Sequence, residues 1–394
     1  MRMNFMRTLP LVFAFSAVQW NAQTVASDSS QISSDRKKPT SNVSAPTYPI
    51  FKFGGIFQGR YTVSATKNVD VNGLHHSDES GTDNTFLIKY MRVSMKAQIS
   101  KRTQVVVLAN LADFKSDPKT KVLENAFIKY QLTPDIDLQF GQFRPAFGIE
   151  ELIPVDIIKS MEWSNQYNAF GKLGWTSFQI GASVGGKTRI GKLPVHYAVS
   201  VVNGNGKNQI NDNDSGKLFS SRLQFDILKN NALNIGINAG AGKAYEKGVH
   251  AFAADISGKI PLSTQLSLNL IAEVKQAINH VLYNTLDAQH LGNISNYQIR
   301  AFYFLPDFRY EIKNSNSRNL NAIEFSCRYE VMDENFRLDP NPHTTVIPMV
   351  SFEFLKDYGA RVQLGMKMDR YRHETPDTSL YDSNLMILQI QTRF

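Results

Sequence analysis

The sequence predicts an all-β fold: a transmembrane antiparallel β-barrel of about sixteen strands, with short turns at one end and long loops at the other. Three observations carry this. From Phe51 onward, sixteen segments alternate apolar and polar residues with period two, the pattern of half-exposed strands rather than helices. Beyond the N-terminal segment there is no window of about 18 apolar residues, so a chain living in a membrane must do so as a closed barrel. Connection lengths also alternate. From the second strand on, every other one is short and polar, as at Ser100-Lys101-Arg102, Thr133-Pro134, Gly191-Lys192, Lys229-Asn230-Asn231, Pro261 to Ser263 and Lys356-Asp357-Tyr358-Gly359. The intervening ones are mostly long (65–84, 144–175, 204–216, 279–294, 333–343 and 372–383), and two, 114–120 and 244–247, break the pattern by being short.

In chain order, Arg2 and Arg7, the apolar stretch Leu9 to Val18 and the small residues Ala22 and Ala26 form a signal peptide over 1–26. Its cleavage falls after 22 or after 26, which takes the net charge from +8 to +6. Residues 27–48, Ser-rich with Lys37-Lys38-Pro39, read as a disordered leader, and 49–394 as the barrel. The single Cys327 rules out an intrachain disulfide framework or thiolate metal site, and no cysteine follows the signal to carry a lipid. A mean hydropathy of −0.28 with 42% hydrophobic residues suits strands with one wet face.

The first strand sets Phe51, Phe53, Phe57, Tyr61 and Val63 against Lys52, Gln58, Arg60 and Thr62. Another sets Leu233, Ile235, Ile237 and Ala239 against Asn234, Gly236, Asn238 and Gly240; a third sets Ile323, Phe325, Cys327, Tyr329 and Val331 against Glu324, Ser326, Arg328 and Glu330. The last alternates Met386, Leu388, Ile390 and Phe394 against Gln389, Gln391 and Arg393, and resembles the terminal strand of bacterial outer-membrane barrels. That resemblance implies a role for Phe394 as part of the assembly signal, read by the barrel-assembly machinery. A soluble β-sandwich also alternates, but its polar faces are charged and sixteen strands would need two domains and a linker. Pro348 inside strand 14 and the inward Val106 and Leu108 of strand 3 fit the barrel less well.

Residues 121–152, including Glu124-Asn125-Ala126-Phe127 and Gly141-Gln142-Phe143-Arg144 with Phe147-Gly148 and Glu150-Glu151, resemble the phosphate-selective porin O and P family. Phe86 to Met95, Tyr197 to Val202 with Asn203-Gly204-Asn205-Gly206, and Glu324 to Glu330 extend the likeness over nearly the whole mature chain. The resemblance implies a sixteen-stranded, often trimeric, anion-preferring channel in the outer membrane of a Gram-negative bacterium. Ala146 stands where the family usually has Pro, and Lys89-Tyr90 where it tends to have two arginines, so phosphate specificity stays open.

Selectivity in such a channel comes from lumen charges, whose field low-dielectric walls focus. Strand parity assigns Arg60, Arg92, Lys96, Lys129, Arg222, Lys275, Arg300, Arg328, Arg361, Lys367 and Arg393 to the lumen, with Asp226, Asp255, Glu273, Glu324, Glu330 and Asp369. Eleven positive against six negative favours anions, several being paired. By the resemblance, the long loop at 144–175 forms the constriction, with Arg144, Lys159 and Lys172 among Glu150, Glu151, Asp156 and Glu162. The residues expected to bind anions such as phosphate are therefore Arg92, Lys96, Lys129, Arg144, Lys159, Lys172, Arg222 and Arg300.

Lys89 has outward parity and reads as a rim residue snorkelling to a headgroup, and Tyr61, Tyr90, Tyr245 and Tyr371 as interfacial girdle residues. His75-His76 with Asp78 and Glu79 has the residue types of a metal site but reads as a solvated loop. Nucleophile-elbow, zincin and Walker motifs are all missing, so no catalysis, cofactor or nucleic-acid partner is expected. The reading is a passive channel for small hydrophilic solutes, mildly anion-preferring. Its alternative is a barrel with an occluded lumen acting as an enzyme or adhesin, and an energised transporter would need a plug domain longer than the 22 residues after the signal.

Overall fold

In a computed structural model of the chain, the described residues are 47–113, 121–209, 211–212, 214–228, 232–286, 292–313 and 320–394. The signal peptide, most of the leader, and the connections at 114–120 and 229–231 lie outside them. The strands are β1 Ile50–Ser64, β2 Asn84–Gln98, β3 Thr103–Asn110, β4 Leu123–Thr133, β5 Ile136–Phe143, β6 Gln179–Ile190, β7 Leu193–Val202 and β8 Leu218–Leu228. They continue as β9 Leu233–Ala244, β10 Lys247–Pro261, β11 Leu266–Ile278, β12 Gln298–Glu311, β13 Ala322–Asp333, β14 His343–Leu355, β15 Ala360–Tyr371 and β16 Ser383–Arg393. Two short helices, α1 Asn165–Lys172 and α2 His280–Thr285, lie in connections. Each strand pairs antiparallel with its sequence neighbours, and β1 pairs with β16, which closes the barrel.

Closure follows from the alternation. Outward side chains such as Phe302, Phe304, Phe308 and Tyr310 of β12 form the exposed apolar band, and no sheet edge remains to carry unpaired backbone groups. At the seam, Phe394 N–H donates to Gly55 O at 3.1 Å and Gly55 N–H to Phe394 O at 2.8 Å, so the terminal residue completes the β1–β16 ladder with its ring outward. Pro348 faces outward on β14, where its missing N–H coincides with a gap: β14 pairs with β15 at Val346 and Met368 and again only at Met349 and Gly365. Tyr245 and Glu246, both with positive φ (50° and 62°), make the tight turn between β9 and β10.

Three expectations of side-chain direction are corrected. Arg300 points outward: it pairs with outward Gln276 and shares the parity of Phe302 and Phe304, while Asp307 and Arg309 of the same strand take the inward face. Lys89 is the extra residue of a β-bulge on β2, where Gln58 pairs with Tyr90 and Gly59 with Ile88; the bulge turns it inward. Tyr90 and Tyr371 also face the lumen: Tyr90 accepts from Trp163 Nε1 at 3.2 Å, and Tyr371 stacks on His343 with ring centroids 4.8 Å apart.

The apolar core lies between the barrel wall and residues 144–178, the connection from β5 to β6. Phe147, Phe170, Leu173 and Trp175 pack against wall residues of β7 to β13, among them Val202, Leu218, Ala251, Ala277, Ile299 and Met332. Trp163 and Tyr167 meet Ile56, and Met161 meets Ile347, Met349 and Ile387. The wall is cut back to receive them. A Cβ on inward Gly240 would lie 2.5 Å from the Trp175 ring, and one on Gly365 2.8 Å from Met161 Cγ. Replacing Gly240 by Leu is expected to displace Trp175 and cost about 1–3 kcal/mol of overpacking. It would be read as a lower unfolding temperature in detergent, whereas Ile237→Leu on the lipid face of the same strand should leave it unchanged.

Candidate functional site

Residues 144–178 are fastened to inward side chains of at least eight strands, which places them inside the lumen. The attachment begins at Arg144, which donates from Nε to Glu151 at 2.8 Å and from Nη1 to Ile153 O at 3.1 Å, with its guanidinium 4.9 Å from the Trp163 ring centroid. Burial pushes the Glu151 carboxyl up even beside this cation. The backbone N–H groups of Gly148 and Ile149 then donate to Asn238 and Glu273, at 3.0 and 2.8 Å. Gln166 Nε2 donates to the other Glu273 oxygen at 2.8 Å.

Further along, Asp156 pairs with Arg393 at 2.9 Å, and its carbonyl accepts from Arg361 and Gln391. Lys159 pairs with Glu324, lies 3.6 Å from Asp307, and donates to the Tyr358 hydroxyl at 2.6 Å. Ser326 donates to Lys159 O at 2.7 Å. Glu162 is held by Arg60 and by Lys89 at 2.8 Å, while Arg60 also donates to Met161 O and Arg328 to the carbonyls of Glu162 and Trp163. Burial by itself would raise the Glu162 pKa, but Arg60 and Lys89 outweigh it and hold the carboxyl well below the usual carboxylate range. Ser164 caps α1 by accepting from Tyr167 N at 3.0 Å, and Asn165 N donates to Glu330 at 2.7 Å.

The anion-binding residues expected from sequence are therefore mostly engaged. Arg92 pairs with Glu124 at 2.7 Å across the β2–β4 wall, Lys129 with Asp137 at 2.9 Å, and Arg222 with both oxygens of Asp255 at 2.5 and 2.9 Å. Arg144 and Lys159 anchor the loop. Lys96 is inward at the short-turn end, Lys172 is exposed at the C-terminal end of α1, and Arg300 lies outside the lumen with its guanidinium 4.4 Å from the Phe336 ring centroid. Sequence reasoning missed Arg309, which pairs with Glu324 and Glu353 at 2.9 and 2.8 Å. Also missed are Lys52, Lys187 and Lys259, inward residues at the short-turn end with no ion pair among the described residues.

At the long-loop end a cavity of about 420 Å³ opens between α1, residues 203–207, the β9–β10 turn and α2. Lys121, Lys172, Lys207 and Lys243 line it. His75 and His76 face Asp377 and Asp70 at 3.6 and 3.2 Å, and no group of three metal-ligating side chains is found among the described residues.

Comparison with protein families matches residues 63–281 to the phosphate-selective porin O and P family. Comparison with curated proteins gives no match. Among solved structures, the chain is similar to the anion-selective porin from Comamonas acidovorans, with a TM-score of 0.57 and 7% identity over 88% of this chain and all of that one. It is also similar to the outer-membrane channel DcaP of Acinetobacter baumannii, at 0.54 and 12% over 88% and 97%. A third is the trimer form of the Vibrio cholerae outer-membrane protein OmpT, at 0.54 and 12% over 88% and 100%. At these identities the likeness is one of fold.

The Glu162 clamp gives a pH signature. Because its folded pKa is depressed, its contribution is fully present above the unfolded carboxylate value of about 4.3 and is lost progressively as pH falls from there through the depressed folded value. Single-channel conductance of the wild type should therefore be constant from neutrality down to about pH 4 and become larger and noisier only well below that, where the depressed carboxyl itself takes up a proton. Glu162→Gln should show the low-pH behaviour at pH 7. Identical traces for the variant and the wild type at all pH values would show that the clamp does not restrain the loop.

Proposed function

The chain belongs to the phosphate-selective porin O and P family and is a porin of the Gram-negative outer membrane; on that premise we propose a passive pore for small hydrophilic solutes, mildly anion-preferring and open to phosphate. The β5–β6 segment acts as its constriction, and the long loops face the outside. The observation that carries the anion preference is the charge left over once ion pairs are formed. Most lumen carboxylates are spent on the wall and the loop: Glu124, Asp137, Glu151, Asp255, Glu324, Glu353 and Asp369 each have a cationic partner within 4 Å. The cations left without an ion pair among the described residues sit at the two mouths. They include Lys52, Lys187 and Lys259 at the periplasmic end, and Lys121, Lys172 and Lys243 at the outer end.

Fixed positive charge at both ends of a low-dielectric conduit raises the local concentration of anions and lowers that of cations. The paired arginines inside contribute little net field at a distance. They order the walls and offset much of the negative charge inside the lumen. Passive diffusion needs no catalytic group, and the role proposed is that of a conduit. A homotrimer is proposed in keeping with the OmpT trimer form, with Phe394 as the feature that the assembly machinery reads and residues 1–48 as signal and leader.

The refolded protein in a planar bilayer under a salt gradient is expected to show an anion-sided reversal potential. Replacing the six mouth lysines by Gln should move it to zero or to the cation side. Replacing Arg92 by Gln should leave the sign unchanged while weakening the barrel, since an uncompensated buried partner costs about 3–5 kcal/mol. A reversal potential that follows Arg92 and ignores the six lysines would place selectivity on the paired wall charges and contradict the reading.

A further inference from the structure

The outer-mouth cavity is shaped for more than a simple anion. Resting on the proposed anion preference, we propose that it is a recognition site for the phosphomonoester of a sugar, with the phosphate on Lys172 and Lys121 and the hydroxyls on Asn168, Asn203 and Asn205.

Size comes first. At about 420 Å³ the cavity falls within the range of about 300–1,000 Å³ typical of small-molecule sites. With a water occupying about 30 Å³ in the liquid, it has room for roughly fourteen waters, several times what five-atom orthophosphate displaces.

Charge comes second. Of the four lining lysines, Lys207 is engaged with Asp113 at 3.0 Å, and the other three have no ion pair among the described residues. The acid on the lining, Asp214, is engaged with the backbone: it accepts from Gly216 N at 2.6 Å and Tyr245 N at 2.7 Å and so holds the rim. Lys243 has the outward parity of Ile237 and Ala239, which leaves the Lys121 and Lys172 ammonium groups to the cavity; such mobile point charges suit a phosphoryl dianion, which Lys binds without the fixed bidentate geometry of Arg.

The neutral groups give the third argument. Asn168 is exposed on α1, and neither it nor Asn203 makes a side-chain hydrogen bond among the described residues. Asn205 donates to Asn211 O and Asp212 at 3.4 and 3.3 Å, but its Oδ1 is buried without a partner. A buried acceptor without a donor is costly, and a ligand hydroxyl supplies the donor. Carboxamides present donors and acceptors together, which matches a polyol better than a bare anion. The half-exposed Tyr245 ring at the rim offers the apolar face against which a pyranose can lie.

The test uses single channels in a planar bilayer, with glucose 6-phosphate, orthophosphate and glucose added in turn as blockers of chloride current on each side. Glucose 6-phosphate is expected to block from the long-loop side only, at a concentration at least tenfold lower than orthophosphate, and glucose not at all. Asn203→Ala with Asn205→Ala should raise the glucose 6-phosphate blocking concentration to that of orthophosphate and leave orthophosphate block unchanged. Lys172→Gln with Lys121→Gln should weaken block by both. Asn168→Ala, on an exposed side chain, serves as a second variant should the loop pair fail to fold. An anion-sided reversal potential with equal block by both phosphates, or with block untouched by these variants, would overturn the sugar-phosphate site and keep the anion-preferring pore. A cation-sided reversal potential without block would overturn both.

Discussion

Sixteen strands enclose a lumen wider than the side chains of its own wall can span, so the interior must be left to water or filled by chain from elsewhere. Here residues 144–178 take up much of it, and the rest of the interior is arranged around that fact. The inward wall presents Gly240 to Trp175 and Gly365 to Met161, and its carboxylates and guanidiniums line up with loop groups more than a hundred residues away, as with Arg60 and Glu162 or Lys159 and Glu324. Without the segment, these charges would face a wide aqueous pore. With it they are buried and must be matched in number and geometry.

That matching explains why the lumen is so heavily charged yet so nearly neutral inside. A buried ion pair adds little net stability over an apolar pair, but losing one partner is expensive, so the lattice fixes where the loop lies more than how tightly the barrel holds. Glu324 illustrates this: fully buried, it answers Lys159, Arg309 and Arg361 together, and so ties loop, β12, β13 and β15 to one point. The leftover charge is displaced to the mouths, where water screens each lysine and where a passing solute first meets the protein. On the function proposed above, selectivity and architecture are in this way separated: paired groups build the conduit, and unpaired ones address the solute.

Much of this was legible in the sequence. Period-two alternation indicated sixteen strands, because a barrel wall has one wet and one greasy face at every position, and the alternation of connection lengths separated a short-turn end from a long-loop end. The failures have local causes. Parity cannot see a bulge, so Lys89 was placed outside when the extra residue on β2 turns it toward Glu162. On β12 the signal was present but misread: Arg300 shares its parity with Phe302, Phe304, Phe308 and Tyr310, which fixes it outward and makes Asp307 and Arg309 the lumen pair. Which lumen cations are paired could not be read at all, since the partners come from other strands or from the loop. The small inward residues of β9 were a visible clue to something lying against that wall, and Trp175 is what lies there.

The central claim is that residues 144–178 are a fixed part of the barrel interior rather than a loop that visits it. Hydrogen exchange on the refolded protein tests this most directly. The account expects the amides of Gly148, Ile149, Ser164, Asn165 and Ser177, each donated to a buried acceptor, to exchange as slowly as those of the strands. Exchange of this segment as fast as that of the β13–β14 and β15–β16 loops would contradict it.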